Sequence, residues 1–352
     1  MAASSRRSLR TLDRPMKFDV AILGSQPVPT IVEQVKLAES LGYDTAWITD
    51  THLVCRELWV TLTACALATS RIRLGPGITV PHTRHISVTA SAAASLDELA
   101  PGRVVVGVGT GGSAAQTMGL TLAQTARTAT LEAMATDLRR LTRRETVRFE
   151  TGADGRLAWL REPRAIPIYA AGSGPRMLAA AGRAGDGVIM YASVQPEILR
   201  AGLAHVAAGA RSAERALDVL DIALWAPMSI ARDGALARDH VRGRVASALR
   251  HPLPVSFPDA DRPLVERLRR EYDAFQHATA AAPHRELVPD RLVSLMALAG
   301  TPEEVRAQVA RVMTVPEIRR VILLPQVPDA GFVAREHIFT LFAEEVMGRA
   351  LC

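Results

Sequence analysis

The chain has 352 residues, 48% of them hydrophobic, with a formal net charge of +6 and three cysteines. That length supports one large packed core and does not by itself require two domains. The odd cysteine count without C-x-x-C spacing excludes a disulfide framework and a zinc site, which fits a reducing cytoplasm; no apolar run approaches the ~20 residues that cross a bilayer, and no basic run carries the stacking aromatics of a nucleic-acid groove.

Residues 1–15 read as a disordered extension, charged and without the apolar stretch of a secretory signal. Phe18 to Leu23 is a short apolar run that stops at Gly24, a buried strand. Thr30 and Glu33 have capping-box spacing ahead of a helical apolar stripe from Ile31 to Leu41, closed by Gly42. Thr45 to Ile48 is the second strand, and a helix follows from about Glu57 to Thr69. The third strand opens at Ile72 and passes through Gly75-Pro76-Gly77 to Val80. A helix over Ser87 to Leu99 leads to the fourth strand, Val104 to Val108, and the stretch after Gly112 is helical to about Leu141.

Four more strands continue the rhythm: Ile168 to Ala171, Gly187 to Met190, Ile222 to Met228 and Val321 to Leu324. Strands buried on both faces and joined by helices make a parallel sheet, and eight in one series predict an α/β fold of the (β/α)8 TIM-barrel type. Thr301, Pro302 and Glu304 spell a helix start, and a last helix begins near Val333. Residues 232–297 break the pattern, with a charged helical stretch from Leu264 to His277 between proline-rich segments. They form an insertion between strand 7 and helix 7 within a single domain at 16–350. Long insertions in barrels usually sit over the active-site face, the alternative being a solvated excursion.

Four constellations sit where barrel strands end. Gly107, Gly109 and Gly112 match G-x-G-x-x-G, yet no second strand ending in an acid follows, so a Rossmann reading is discounted. These glycines either let backbone amides and Thr110 approach a cofactor ring or make a tight turn. Gly172-Ser173-Gly174-Pro175-Arg176 joins strand five to its helix, a place where free amides bind phosphate, although any strand-to-helix turn is often glycine-rich. Asp50 and His52, with Glu57 near, follow strand two and could move protons; His52 could equally be a loop histidine bonded to a carbonyl. Arg84 binds an anion or caps the rim by ion pairing. His205, His240, His251, His277 and His284 show no metal-ligand spacing, so no metal is expected.

The segments from Glu57 to Leu62, from Ala68 to His85 (ATSRIRLGPGITVPHTRH) and from Leu96 to Gly112 (LDELAPGRVVVGVGTGG) resemble the bacterial luciferase-like flavin and deazaflavin oxidoreductase superfamily. The segments at 170–189 and 300–305 are similar to ones shared across it. The nearest branch contains methylenetetrahydromethanopterin reductase, whose members use coenzyme F420.

The resemblance implies a non-proline cis peptide at Gly77-Ile78 behind a deazaflavin ring. It places Asp50, Thr110 and Gly111 along the cofactor headgroup and Gly172, Ser173 and Gly174 at its phosphate, with Arg176 adding charge. Relatives often carry an acid directly after the Thr-Gly pair. Here that position is Gly112, so the proton comes from elsewhere, with His52 and Glu57 the candidate catalytic groups, or from water. The implied activity is F420-dependent hydride transfer to a C=C or C=N bond of a small-molecule or modified-peptide substrate, such as a dehydroamino acid in natural-product biosynthesis. An FMN-dependent monooxygenase and a non-catalytic flavin-binding protein are the alternatives. A cytoplasmic homodimer is the family expectation.

Overall fold

The computed structural model describes residues 16–120, 126–272, 283–327 and 332–348; the extension expected at 1–15 lies outside the described residues. The chain runs β1 (Lys17–Ile22), α1 (Val28–Ser40), β2 (Thr45–Ile48), α2 (Leu58–Ala68), β3 (Arg73–Pro76), α3 (Ile86–Leu99) and β4 (Val106–Val108). Two helices follow, α4 (Gly112–Thr117) and α5 (Arg127–Thr142), then a small hairpin of β5 (Val147–Arg148) and β6 (Asp154–Gly155). Next come β7 (Ile168–Gly172), α6 (Pro175–Ala184), β8 (Gly187–Met190), α7 (Pro196–Ser212) and β9 (Asp221–Ile230). The remainder is α8 (Gly234–Leu249), α9 (Arg262–Glu271), α10 (Asp290–Met296), β10 (Leu298–Gly300), α11 (Pro302–Met313), β11 (Ile318–Pro325) and α12 (Phe332–Phe342).

The main sheet runs β3-β2-β1-β11-β9-β8-β7-β4, with every pair parallel, and β10 adds beside the upper end of β9. Single bridges from Leu74 to Val104 and from Thr79 to Val108 bring the two ends of this order together. The eight strands form a nearly closed barrel wrapped in helices, as the alternation predicts. Glycines make the β3–β4 seam. A Cβ on Gly75 would stand 2.0 Å from the Val105 carbonyl oxygen, one on Gly107 2.5 Å from that of Pro76, and one on Gly109 2.0 Å from Ile78 Cδ1. Two of the glycines in the G-x-G-x-x-G match therefore serve backbone approach between strands, and neither lines the cavity described below.

Three apolar clusters divide the core. One fills the space between barrel and helices. A second packs the barrel interior, where the Trp47 and Tyr169 rings meet edge to face at 5.3 Å. The third belongs to the 232–297 segment itself, with Val241, Val245, Leu268, Leu292 and Met296 at its centre. At the N-terminal ends of the strands, Arg320 pairs with Asp19 at 2.7 Å, Asp44 at 2.6 Å and Asp221 at 3.3 Å. Trp47 Nε1 donates to Asp19 and the Tyr169 hydroxyl to Asp221. Burial outweighs these partners at Asp19 and pushes its carboxyl up to about 6. At Asp44, Arg320 and Lys17 overcome the upward push of burial and hold the carboxyl down to about 2.

Several local expectations change. Helix α1 starts at Val28 behind Pro27, so Thr30 lies inside its first turn and caps nothing; Glu33 pairs with Lys36 instead. Proline at the second helical position, Pro29, presets the backbone three residues earlier than the capping-box spacing implies. The helix expected after Gly112 is broken into α4 and α5, with Gly119 at φ 72° just past α4 and residues 121–125 outside the described set. The charged helix expected from Leu264 to His277 is α9, ending at Glu271; 273–282 are not described. Helix α8, which sequence reading passed over, is capped by Asp233, whose carboxylate accepts from Ala235 and Leu236. The Thr301–Glu304 capping box forms, with both of its bonds present.

Candidate active site

A cavity of about 540 Å³ opens at the C-terminal ends of the barrel strands. On one side it is lined by Asp50 after β2, Gly77 and Ile78 after β3, and Thr110 and Gly111 after β4. The Gly77–Ile78 peptide is cis, as the resemblance implies. Gly77 cannot carry a side chain, because a Cβ there would stand 2.7 Å from the Trp47 Cβ. Gly111 has φ 63° and its Cβ position lies 2.2 Å from Val80 Cγ1, so both conformation and space require glycine.

Gly172, Ser173, Gly174 and Arg176 line the cavity at the β7–α6 turn. Leu178 donates to the Gly174 carbonyl at 3.0 Å, so the amides before it have no carbonyl within the helix. These free N–H groups, the helix dipole and Arg176 suit a phosphate. A Cβ on Gly174 would stand 2.7 Å from Pro252 Cβ. The turn and the 232–297 segment are thus in close contact.

Asp50 is held rather than free. Its Oδ2 accepts from Thr79 at 2.8 Å and from Arg84 at 2.7 Å, and it is 5% exposed. Arg84 also bonds Glu57 at 2.6 Å, so ion pairing at the rim is what this arginine does. Glu57 Oε2 further accepts the Val60 amide, making Glu57 the N-cap of α2. Neither Glu57 nor His52 lines the cavity. Of the two candidate catalytic groups, Glu57 is engaged by a helix end and an arginine, and His52, between the lining residues Thr51 and Cys55, has its Nδ1 buried and unpartnered.

Groups that sequence reading missed complete the walls. Arg127 and Thr128 open α5; Arg244, Ser247, His251 and Pro252 come from α8 and the turn after it; Tyr191 and Trp225 follow from β8 and β9. Arg250 stacks on the Tyr272 ring at 3.6 Å and bonds Gln116 of α4 at 3.1 Å, which ties the inserted segment across the chamber. The ring of His251 lies 5.9 Å from that of Tyr191, and its Cε1 is 3.4 Å from the Cβ position of Gly112. Burial, then Arg250, Arg127 and Arg269, hold the His251 imidazole down to about 4, so it is neutral at neutral pH. Burial pushes the Tyr191 phenol far above its ordinary range. Among the described residues no group of three or more His, Cys, Asp or Glu could hold a metal, and no helix is long and apolar enough to cross a membrane.

The profile of the luciferase-like monooxygenase family matches residues 15–315. The chain is 30% identical over 347 residues to the 5,10-methylenetetrahydromethanopterin reductase of Methanolobus tindarius, covering 95% of this chain and 100% of that protein. It is 32% identical over 215 residues to the F420-dependent glucose-6-phosphate dehydrogenase of Kineococcus radiotolerans, covering 55% of this chain and 64% of that one. Among solved structures, the coenzyme F420-dependent tetrahydromethanopterin reductase of Methanopyrus kandleri superposes with a TM-score of 0.76 at 24% identity, over 95% of this chain and 99% of that one.

Proposed function

This chain belongs to the luciferase-like monooxygenase family, and from that premise we propose that it is an F420-dependent oxidoreductase. One observation carries the reading. The residues matched to ring and phosphate, Asp50, Gly77, Ile78, Thr110 and Gly111 on one side and Gly172 to Arg176 on the other, line a single chamber. The buried, unpartnered Nε of Arg127 and the free amides of α6 are the donors a phosphorylated cofactor would satisfy. The first F420-dependent relative by sequence and the Methanopyrus structure support the choice of cofactor.

Bound F420 supplies two-electron hydride chemistry, directed here at a C=C or C=N bond of a small-molecule or modified-peptide substrate, including biosynthetic alkenes such as dehydroamino acids. The chain supplies position, exclusion of water and a proton. Asp50, held by Thr79 and Arg84, would present a fixed acceptor to the bound cofactor. His251 is the group in the chamber suited to exchange a proton with the substrate. Burial is the main cause of its depressed value and nearby cations the lesser one, so an anion bound near Arg127 would relieve only the lesser part.

Val60 and Leu67, two turns apart on α2, and Val88 on α3 are exposed apolar side chains that a second copy of the chain would cover. Light scattering on the purified protein reads that dimer directly.

The deciding experiment titrates apoprotein with F420 and with FMN, following cofactor fluorescence. F420 binding at least tenfold tighter than FMN is the expected result. Preference for FMN, with oxygen consumed as product forms, moves the protein to the flavin monooxygenases.

A further inference from the structure

Arg244 projects from α8 into the chamber and is 9% exposed. Its Nε and Nη2 are buried without a hydrogen-bond partner, and no carboxylate pairs with it among the described residues. A buried guanidinium without a counter-charge is among the least favourable groups a fold can keep. Its surroundings make matters worse: Arg335 on α12 also has an unpartnered Nε, and burial followed by Arg244 pushes that guanidinium below its ordinary range.

Position within the barrel says what would relieve the charge. Ring-side residues come from β2, β3 and β4, and the phosphate turn follows β7. Arg244 instead shares the chamber wall with Tyr191, just past β8, and Arg335 lines a small neighbouring cavity with Leu23 and Pro325 at the ends of β1 and β11. In the sheet order, β1, β11, β9 and β8 form the arc of the barrel away from the ring side. Along that arc the chamber floor is apolar, with Leu23, Leu324, Trp225 and Ile189.

The geometry points to Arg244 as the anchor for an anionic group, a carboxylate or a phosphate, on a substrate whose apolar body lies over Trp225 and Leu324. The inference rests on the F420 reading for what fills the rest of the chamber. It names the class of substrate: an acid with an unsaturated, mostly apolar body.

The test uses probes that copy that class. Phenylacetate, phenylphosphonate and the neutral phenylacetamide are titrated by calorimetry into apoprotein and into F420-saturated protein, for wild type, R244M and R244K. One acid should bind wild type at least tenfold tighter than the amide, and which acid it is separates carboxylate from phosphate. R244M should lose that preference, R244K should keep part of it, and F420 affinity should be the same in all three. The apo form of R244M should also melt higher than wild type, since an uncompensated buried charge is gone. No preference in wild type overturns the proposal, as does a preference that survives in R244M. A tenfold loss of F420 affinity in R244M overturns it too, because the guanidinium then serves the cofactor. So does failure of R244M to fold, which would make the residue structural. If F420 does not bind wild type while the acid preference stands, the cofactor reading fails and the anion site remains.

Discussion

His251 Cε1 lies 3.4 Å from the point where a Cβ on Gly112 would stand. The imidazole lies just beyond the position a side chain on Gly112 would start from. The contact is ordinary van der Waals contact and no positive φ constrains Gly112, so Gly112→Ala should change stability by less than ~1 kcal/mol. Gly112→Glu sets a carboxylate beside the ring. Its imidazole should then titrate higher than in wild type, read from the Cε1 proton by NMR across pH. An unmoved titration would show that the two positions do not share one site.

The same histidine makes apoprotein stability depend on pH. Its folded pKa of about 4 lies below the ordinary value of 6.5, so the unfolded chain binds more protons between them. Stability therefore falls as pH drops from 6.5 toward 4, by about 2 kcal/mol at pH 5. Urea denaturation of wild type and His251→Gln at pH 7 and pH 5 measures it. The variant should show the smaller difference between the two pH values.

At the opposite end of the barrel, Arg320→Met should be severely destabilising. It leaves Asp19, fully buried, and Asp44 without their shared guanidinium. Removing one partner of a buried ionic cluster costs about 3–5 kcal/mol. Chemical denaturation reads the loss. F420 affinity, where the variant is folded, should stay within twofold of wild type, because no residue of this cluster lines the chamber.

The seam between β3 and β4 makes a contrasting pair of glycine predictions. Gly75→Ala forces a Cβ to 2.0 Å from a backbone oxygen and should cost at least ~2 kcal/mol, as overpacking against an immobile neighbour does. Gly42 has φ 86° but nothing within 4 Å of its Cβ position, so Gly42→Ala is strained only in its backbone, at about 1 kcal/mol. Equal melting temperatures for the two variants would refute the seam argument.

Arg176→Ala should weaken F420 binding about tenfold, the scale of one charge-assisted phosphate contact. The loss should shrink at high salt, since a partly solvated pair is screened. Fluorescence titration at two ionic strengths checks both statements.

Much of the barrel was legible because its signals are local. Runs such as Thr45 to Ile48 and Gly187 to Met190 are short, apolar and buried on both faces, and they are strands at those same bounds. The Thr301 capping box formed because it needs only residues three apart. The glycine-rich turn between β7 and α6 was legible for the same reason. The cis Gly77–Ile78 peptide came through resemblance; no spacing announces it.

Where the reading failed, residues far apart in the chain decide the outcome. Gly107 and Gly109 looked like ligand contacts, but the partners that require them are Pro76, at the end of β3, and Ile78, just past it. The partners of Glu57, a candidate from its place after β2, were equally out of reach of the sequence: Arg84 meets it from 27 residues away. By itself, the order of apolar runs and glycines determined eight strands and their parallel sense, because each strand is signalled by its own short apolar run and a helix between successive strands forces a parallel crossover. Only the tertiary structure decided that the inserted segment brings Arg244 and His251 into the chamber opposite Gly112. That depends on how α8 crosses the strand ends, and a helix's surface pattern says which face is buried without saying what it meets.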